Sequence, residues 1–233
     1  MIAVTFALPA ESADFLRRLY KKSRTDQNAV KIIQGQLDDC KIEVLHTGVG
    51  ETICRQRMAI FLAERQFNYL ISAGFAGALN DRLHVGDLLF AENFLTINQR
   101  EVRPALSTLP IHTANLLTVA SMIDSGTERG KIAQCTGAGA VDMETEFIAR
   151  ACAERAVPLL SLRVISDTPS EPFPAPAHIL FNIAKQRTNL AKLSIFLLQH
   201  PSRVPRLVRF AKRIAQARGT LADALVRIIR AIK

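Results

Sequence analysis

Four polar segments stand where apolar runs end, and their residue types suit acid–base and hydroxyl- or anion-binding chemistry. Ala10-Glu11 follows the apolar run 2–7. Thr47-Gly48-Val49-Gly50 follows a second run, Val141-Asp142-Met143-Glu144 enters a helical stretch, and Ser166-Asp167-Thr168-Pro169 follows 158–165. Each also has an ordinary structural reading. Glu11 can cap the next helix, since acids are favourable in a first turn. The two glycines leave backbone N–H groups able to approach an anion or hydroxyl, or they form a plain tight turn. Asp142 can be an N-cap with Glu144 in the first turn, and Ser166-Asp167 can start a turn. Four such segments at four strand ends carry more weight together than singly.

These segments must be positioned by the elements between them. IAVTFA (2–7), YLISA (69–73) and PLLSLRVI (158–165) are short, apolar and β-branched, and are predicted as buried strands. Residues 30–35 and 41–47 alternate as a hairpin around 37–39, and 86–97 and 116–123 are further strand candidates. Helices are expected over 12–22, 51–66, 142–155 and 178–198. Gly74 and Gly77 are read as closing the strand 69–73. Strands interleaved with helices predict an α/β domain, three layers deep, around a mixed central sheet, with ligands at the carboxyl ends of the strands.

Composition excludes several classes. The 233 residues are 48% hydrophobic and 22% charged, enough for a packed core and too apolar for global disorder. No apolar run approaches the roughly 18 residues of a membrane span. The start, MIAVTFALPAES, lacks a basic n-region, so a cytoplasmic location is expected. Four cysteines without a C-x-x-C pair and five scattered histidines predict reduced thiols and no metal.

The net charge of +9 is uneven. Residues 199–233 hold nine basic side chains and one acid, Asp223, whereas 1–198 hold 21 basic and 20 acidic. The chain divides by this measure into a domain, 1–198, and a basic amphipathic helical tail, 199–233. The tail is read as two helices broken at Gly219. The first sets Leu207, Ala211, Ile214 and Ala215 on one face; the second sets Leu221, Leu225, Ile228, Ile229 and Ile232 on another. It either packs on the domain or a second subunit, or lies on anionic lipid. Phe210 is its one aromatic residue between Pro201 and the C-terminus, too few for base stacking, so no nucleic-acid partner is expected.

The segments resemble the nucleoside phosphorylase/nucleosidase superfamily, which contains purine and uridine phosphorylases, methylthioadenosine/S-adenosylhomocysteine nucleosidases and futalosine hydrolases. The resemblance lies in Gly48-Val49-Gly50, Ser72-Ala73-Gly74-Phe75-Ala76-Gly77-Ala78-Leu79, Val85-Gly86-Asp87, Ala140-Val141-Asp142-Met143-Glu144 and Arg163-Val164-Ile165-Ser166-Asp167, in the family's order over about residues 1–170. The run Phe196–Arg218 resembles, more loosely, the hopanoid-associated branch.

The resemblance implies roles. Met143 would lie against a ribose and an ionised Glu144 would hold its hydroxyls. Asp167, with Ser166 beside it, would protonate a purine at N7, and Glu11 would bind attacking water. Gly48, Gly50, Gly74, Phe75 and Met122 would complete the substrate site, with no cofactor and no metal. Phosphorylases of the family place a basic side chain and a hydroxyl where this chain has Ser72 and Phe75, which favours water over phosphate unless Arg17, Arg55 or a neighbouring subunit supplies charge. The nucleosidases' adenine-stacking aromatic is absent from Ala120-Ser121-Met122-Ile123. The expectation is therefore a homo-oligomeric enzyme, with a tail able to make peripheral contact with the inner face of the membrane. It would cleave the N-glycosidic bond of an adenosyl nucleoside with a bulky apolar 5′ group, such as adenosylhopane, and release adenine. Phosphorolysis, a methylthioadenosine/S-adenosylhomocysteine nucleosidase, and a catalytically weak nucleoside- or lipid-binding protein are the alternatives.

Overall fold

Side-chain alternation along the strands sets the layering. The computed structural model describes residues 1–63, 65–97, 99–175, 179, 181–182, 187–188, 196 and 199–232. The chain forms β1 (Ile2–Phe6), α1 (Pro9–Arg18), β2 (Tyr20–Gln27), β3 (Val30–Leu37), β4 (Cys40–His46), α2 (Glu51–Leu62), β5 (Tyr69–Ala78) and β6 (Leu88–Ala91). It continues through α3 (Gln99–Val102), β7 (Ile111–Ala114), β8 (Leu116–Thr118), α4 (Gly126–Thr136), β9 (Ala140–Asp142), α5 (Thr145–Glu154), β10 (Leu159–Asp167) and α6 (Val204–Ile232). One ten-stranded mixed sheet runs β2-β3-β4-β1-β5-β10-β6-β7, with β9 on β5 and β8 on β9.

The central strands β4, β1, β5 and β10 are mutually parallel. Ile2, Val4 and Phe6 of β1 point to one face, with Ile42 and Val44, and meet Phe15 of α1 and Leu221, Leu225 and Ile228 of α6. Ala3 and Leu45 point to the other face, against Cys54, Met58 and Phe61 of α2 and Ile148 and Cys152 of α5. The period of two thus feeds two cores from one sheet. This is the three-layer α/β arrangement expected from the sequence.

Several local expectations differ. β5 does not stop at Ala73 but runs on through both glycines, because β10 pairs with it as far as Gly77. The strand expected over 86–97 keeps only Leu88–Ala91, and that over 116–123 ends at Thr118. The helix expected from 142 starts at Thr145, because Ala140–Asp142 is taken into the sheet. The helix expected over 12–22 begins at Pro9 and ends at Arg18, and polar β2 follows it as an edge strand paired to β3. The helix expected over 178–198 lies mostly outside the described residues, and within it Phe181–Asn182 and Arg187–Thr188 pair as a short antiparallel ladder instead. α4 has no counterpart in the expected elements, although Ser125 and Glu128 carry its start: Ser125 Oγ accepts the Glu128 N–H at 3.3 Å.

The tail is a single helix of 29 residues, not two. Glycine in a helix interior costs about 1 kcal/mol. Here the apolar stripe stays in phase across Gly219, and Ala217, Leu221, Ala224, Leu225, Ile228 and Ile229 are fully buried. Burial of that stripe outweighs the glycine. Arg218–Asp14 (2.5 Å), Arg18–Asp223 (2.7 Å) and Arg230–Asp38 (2.9 Å) fasten its C-terminal half to the rest of the domain.

Candidate active site

At the carboxyl ends of the parallel strands lies a cavity of about 500 Å³, lined by four acidic residues, Glu11, Asp142, Glu144 and Asp167. Glu11 stands in the first turn of α1. Its Oε2 accepts the Leu8 N–H at 2.9 Å, so it does cap the helix, but its Oε1 accepts the Phe75 N–H at 3.2 Å across on β5. A Cβ at Gly74 would stand 3.3 Å from that carboxylate, which accounts for the glycine.

Asp167 ends β10. The ladder to β5 slips by one residue between Ile165 and Asp167, so Asp167 faces Gly77. Such a bulge re-aims a side chain at a sheet end. A Cβ at Gly77 would lie 3.2 Å from the Asp167 carboxylate. Ser166 Oγ donates to Asp167 Oδ1 at 2.6 Å, and Arg129 of α4 closes a buried ion pair on Oδ2. The Arg129 guanidinium also donates to the carbonyls of Ile123 (2.8 and 3.0 Å) and Ala78 (3.0 Å), so it is held rigidly.

Glu144 projects from the β9–α5 junction and accepts the Gly50 N–H at 3.1 Å. Asp142, two residues before it, accepts the Thr145 N–H at 3.2 Å, which is the helix-start role its position suggested. Asp142 also pairs with Arg163 of β10 at 3.0 Å. Arg163 further donates to Ser72 Oγ (2.8 Å) and Thr145 Oγ1 (2.5 Å), tying β5, β10 and α5 together beneath the cavity.

The carboxylates differ in environment. Burial raises the Asp167 pKa, while Arg129 and the Ser166 hydroxyl pull it down. Burial likewise raises Glu11, opposed by its backbone donors. Glu144 is pushed up to about 8 by burial and by Asp142 beside it. The resemblance implies an ionised Glu144; burial and the Asp142 carboxylate work against that charge, while the Gly50 N–H and Arg163 favour it.

Of the site residues chosen from sequence, Glu11, Phe75, Met122, Met143, Glu144, Ser166 and Asp167 line this one cavity. Gly48, Gly50 and Gly74 do not. The Gly48 N–H is used by Ala7 O at 3.0 Å and that of Gly50 by Glu144, so neither is free for a ligand anion; Val49 between them reaches the cavity instead. Gly74 borders an adjoining recess of about 10 Å³ with Thr5, Glu11, Thr47, Ser72, Glu144 and Arg163. Arg17 and Arg55 are engaged on the surface, with Asp14 (2.7 Å) and Glu51 (2.8 Å). Two features lie beyond the sequence reading. Arg129 is one, legible only through the Ser125–Glu128 helix start. The other is the far wall, where Leu207, Phe210, Ala211 and Ile214 of α6 join Phe173. Phe173 and Phe210 meet edge to face at 5.3 Å.

A family model described as the phosphorylase superfamily matches residues 1–106 and 97–199. The 5′-methylthioadenosine/S-adenosylhomocysteine nucleosidase of Colwellia psychrerythraea is 22% identical over 69% of this chain and 81% of its own. Among solved structures, the methylthioadenosine/S-adenosylhomocysteine nucleosidase of Streptococcus pneumoniae superposes with a TM-score of 0.73 at 19% identity, over 99% of both chains. Futalosine hydrolase of Helicobacter pylori superposes at 0.72 with 15% identity, over 98% of this chain and 97% of that one. The family match over most of the chain, on a sheet whose strand ends carry Glu11, Glu144 and Asp167 into one cavity, establishes that this chain belongs to the phosphorylase superfamily.

Proposed function

We propose that the protein hydrolyses the N-glycosidic bond of a purine nucleoside and releases the free base. The observation that carries this reading is the convergence of Glu11, Glu144 and Asp167 on one cavity, each in a different environment. The nucleosidases and the futalosine hydrolase among its relatives support it.

Breaking the bond leaves positive charge on the sugar and negative charge on the base. A purine anion is a poor leaving group, so a proton delivered to N7 lowers the barrier. Asp167 supplies it: burial favours its protonated form, and Arg129 beside it makes that proton easier to give up. Arg129 then faces the carboxylate left behind, and no charge is stranded. Glu144, with Met143 against the sugar, accepts the ribose hydroxyls. Glu11 orients a water towards the anomeric carbon, and that water replaces the base on the sugar.

Water is favoured over phosphate by charge and by space. Among the described residues, the cations lining the cavity are Arg129 and Arg218, paired with Asp167 and Asp14. An anion there would lack compensating charge. The recess between Glu11 and Glu144 is about 10 Å³, close to the roughly 10–15 Å³ that one water needs.

The apolar far wall supports a nucleoside with a bulky apolar 5′ group, adenosylhopane of hopanoid biosynthesis being the preferred substrate. Leu207, Phe210, Ile214 and Phe173 offer such a group a surface, and remote binding of this kind can be spent at the reacting bond. The test is base release from adenosylhopane, methylthioadenosine, S-adenosylhomocysteine and inosine, with and without phosphate. Adenine release independent of phosphate, fastest for the most apolar 5′ group, is expected. A strict phosphate requirement, or no release from any of the four, overturns the reading.

A further inference from the structure

The charge of the tail divides at its middle. In the C-terminal half, Arg218 and Arg230 pair with Asp14 and Asp38, and Arg227 donates to Thr108 at 2.7 Å. In the N-terminal half, Arg213 pairs with Glu171 at 2.5 Å. Arg203, Arg206, Arg209 and Lys212 have no acidic partner among the described residues, and no acid occurs between Gln199 and Ala222. On the same turns Val204 and Val208 are 41% and 61% exposed, two of the four large apolar side chains that stand out to solvent among the described residues.

One stripe of α6 serves two purposes. At Leu221, Leu225, Ile228 and Ile232 it is buried in the core. About two to four turns earlier, at Ile214, Ala211 and Leu207, the same stripe lines the cavity. The exposed valines, Arg206, Arg209 and Lys212 therefore stand on the helix that forms the cavity's lip, with Arg203 in the turn just before it. Among the described residues no helix is long and apolar enough to cross a membrane. A helix with apolar side chains in solvent, flanked by uncompensated positive charge, suits the interface of an anionic bilayer. A second copy of this chain fits less well, because a two-fold contact would set the four cations against their own equivalents.

We propose that the N-terminal half of α6, with Val204 and Val208 entering the lipid and Arg203, Arg206, Arg209 and Lys212 on its headgroups, docks the protein on an anionic bilayer. The cavity mouth then opens at the lipid surface. That consequence rests on the nucleosidase reading, and it makes a bilayer-anchored nucleoside the substrate class; the docking itself does not depend on it.

The test is flotation of the full chain with vesicles of phosphatidylglycerol in phosphatidylcholine and with phosphatidylcholine alone, beside the double variant R206Q/R209Q. Each basic residue at such a surface contributes about 1 kcal/mol, so two lost charges should weaken partition roughly 30-fold. Preferential binding to the anionic vesicles, that loss in the double variant and a further loss in Val208→Asp are expected. Turnover of soluble methylthioadenosine should be equal in wild type and variants. Equal flotation with both vesicle types, undiminished flotation of the double variant, or a change in its oligomeric state by sedimentation overturns the proposal. Flotation as expected, with no base released by any form from methylthioadenosine, S-adenosylhomocysteine, inosine or adenosylhopane, leaves the docking standing and removes the nucleosidase reading instead.

Discussion

Asp167→Asn removes the proposed acid while changing shape least. Asp167 is almost wholly buried, with Ser166 Oγ at 2.6 Å on one oxygen and Arg129 on the other. Asparagine keeps an oxygen that can face the guanidinium, and Arg129 retains its bonds to Ile123 and Ala78. Where Asp167 is ionised, the variant leaves Arg129 without its countercharge, at a cost of up to about 3–5 kcal/mol, so its melting temperature falls most at high pH. Loss of a general acid costs about 10²–10⁴-fold in rate, roughly 3–5 kcal/mol of barrier. The two effects are separable. Release of adenine from methylthioadenosine should fall by that factor at a temperature where the variant is folded, with ligand affinity by calorimetry largely retained. A p-nitrophenyl riboside, whose leaving group departs without a proton, should lose far less. Equal losses on both substrates would mean that Asp167 holds the cavity's shape and donates no proton, and unimpaired adenine release would remove it from the mechanism.

Two further outcomes follow from the same cavity. Glu144 rises from an ordinary 4.5 to about 8 in the folded chain, so between those values the folded protein binds one more proton than the unfolded. Its contribution to stability is full below about 4.5 and is lost as pH rises through about 8, with a slope of about 1.4 kcal/mol per pH unit at most. Urea unfolding of the ligand-free wild type and of Glu144→Gln should show this slope in their difference; parallel curves would refute the raised value. Phe210→Ala removes the ring that meets Phe173 on the far wall. It should raise KM about tenfold, or roughly 1.4 kcal/mol, for a substrate with a large apolar 5′ group, and change methylthioadenosine little. An equal effect on both substrates would place the 5′ group elsewhere.

Much of the site was legible as residue type at a strand end. Glu11 and Asp167 each follow an apolar run that reads as a buried strand, Glu144 falls at an expected helix start, and parallel strands bring their carboxyl ends to one side of the sheet. Periodicity located β1, the hairpin of β3 and β4, and α2, because their apolar positions repeat at the spacing of the element they form. It failed where another strand decided the outcome. β5 runs through Gly74 and Gly77 because β10 pairs with it there, and β2 is polar throughout because it pairs on one edge only. Gly219 looks like a break in isolation and is spanned because the core covers its helix.

The chain alone determined its layered α/β class, the acids available for chemistry and the concentration of positive charge at its end. These depend on local pattern and on counting. Only the tertiary structure decided which groups meet. Arg129 reaches Asp167 across 38 positions, Arg163 pairs with Asp142 at the cavity wall, and Glu144 takes up the Gly50 N–H. It also decided that one half of the basic helix is spent on the domain while the other half borders the cavity. Ion pairs and burial depend on distances between elements remote in sequence, and no local pattern encodes them.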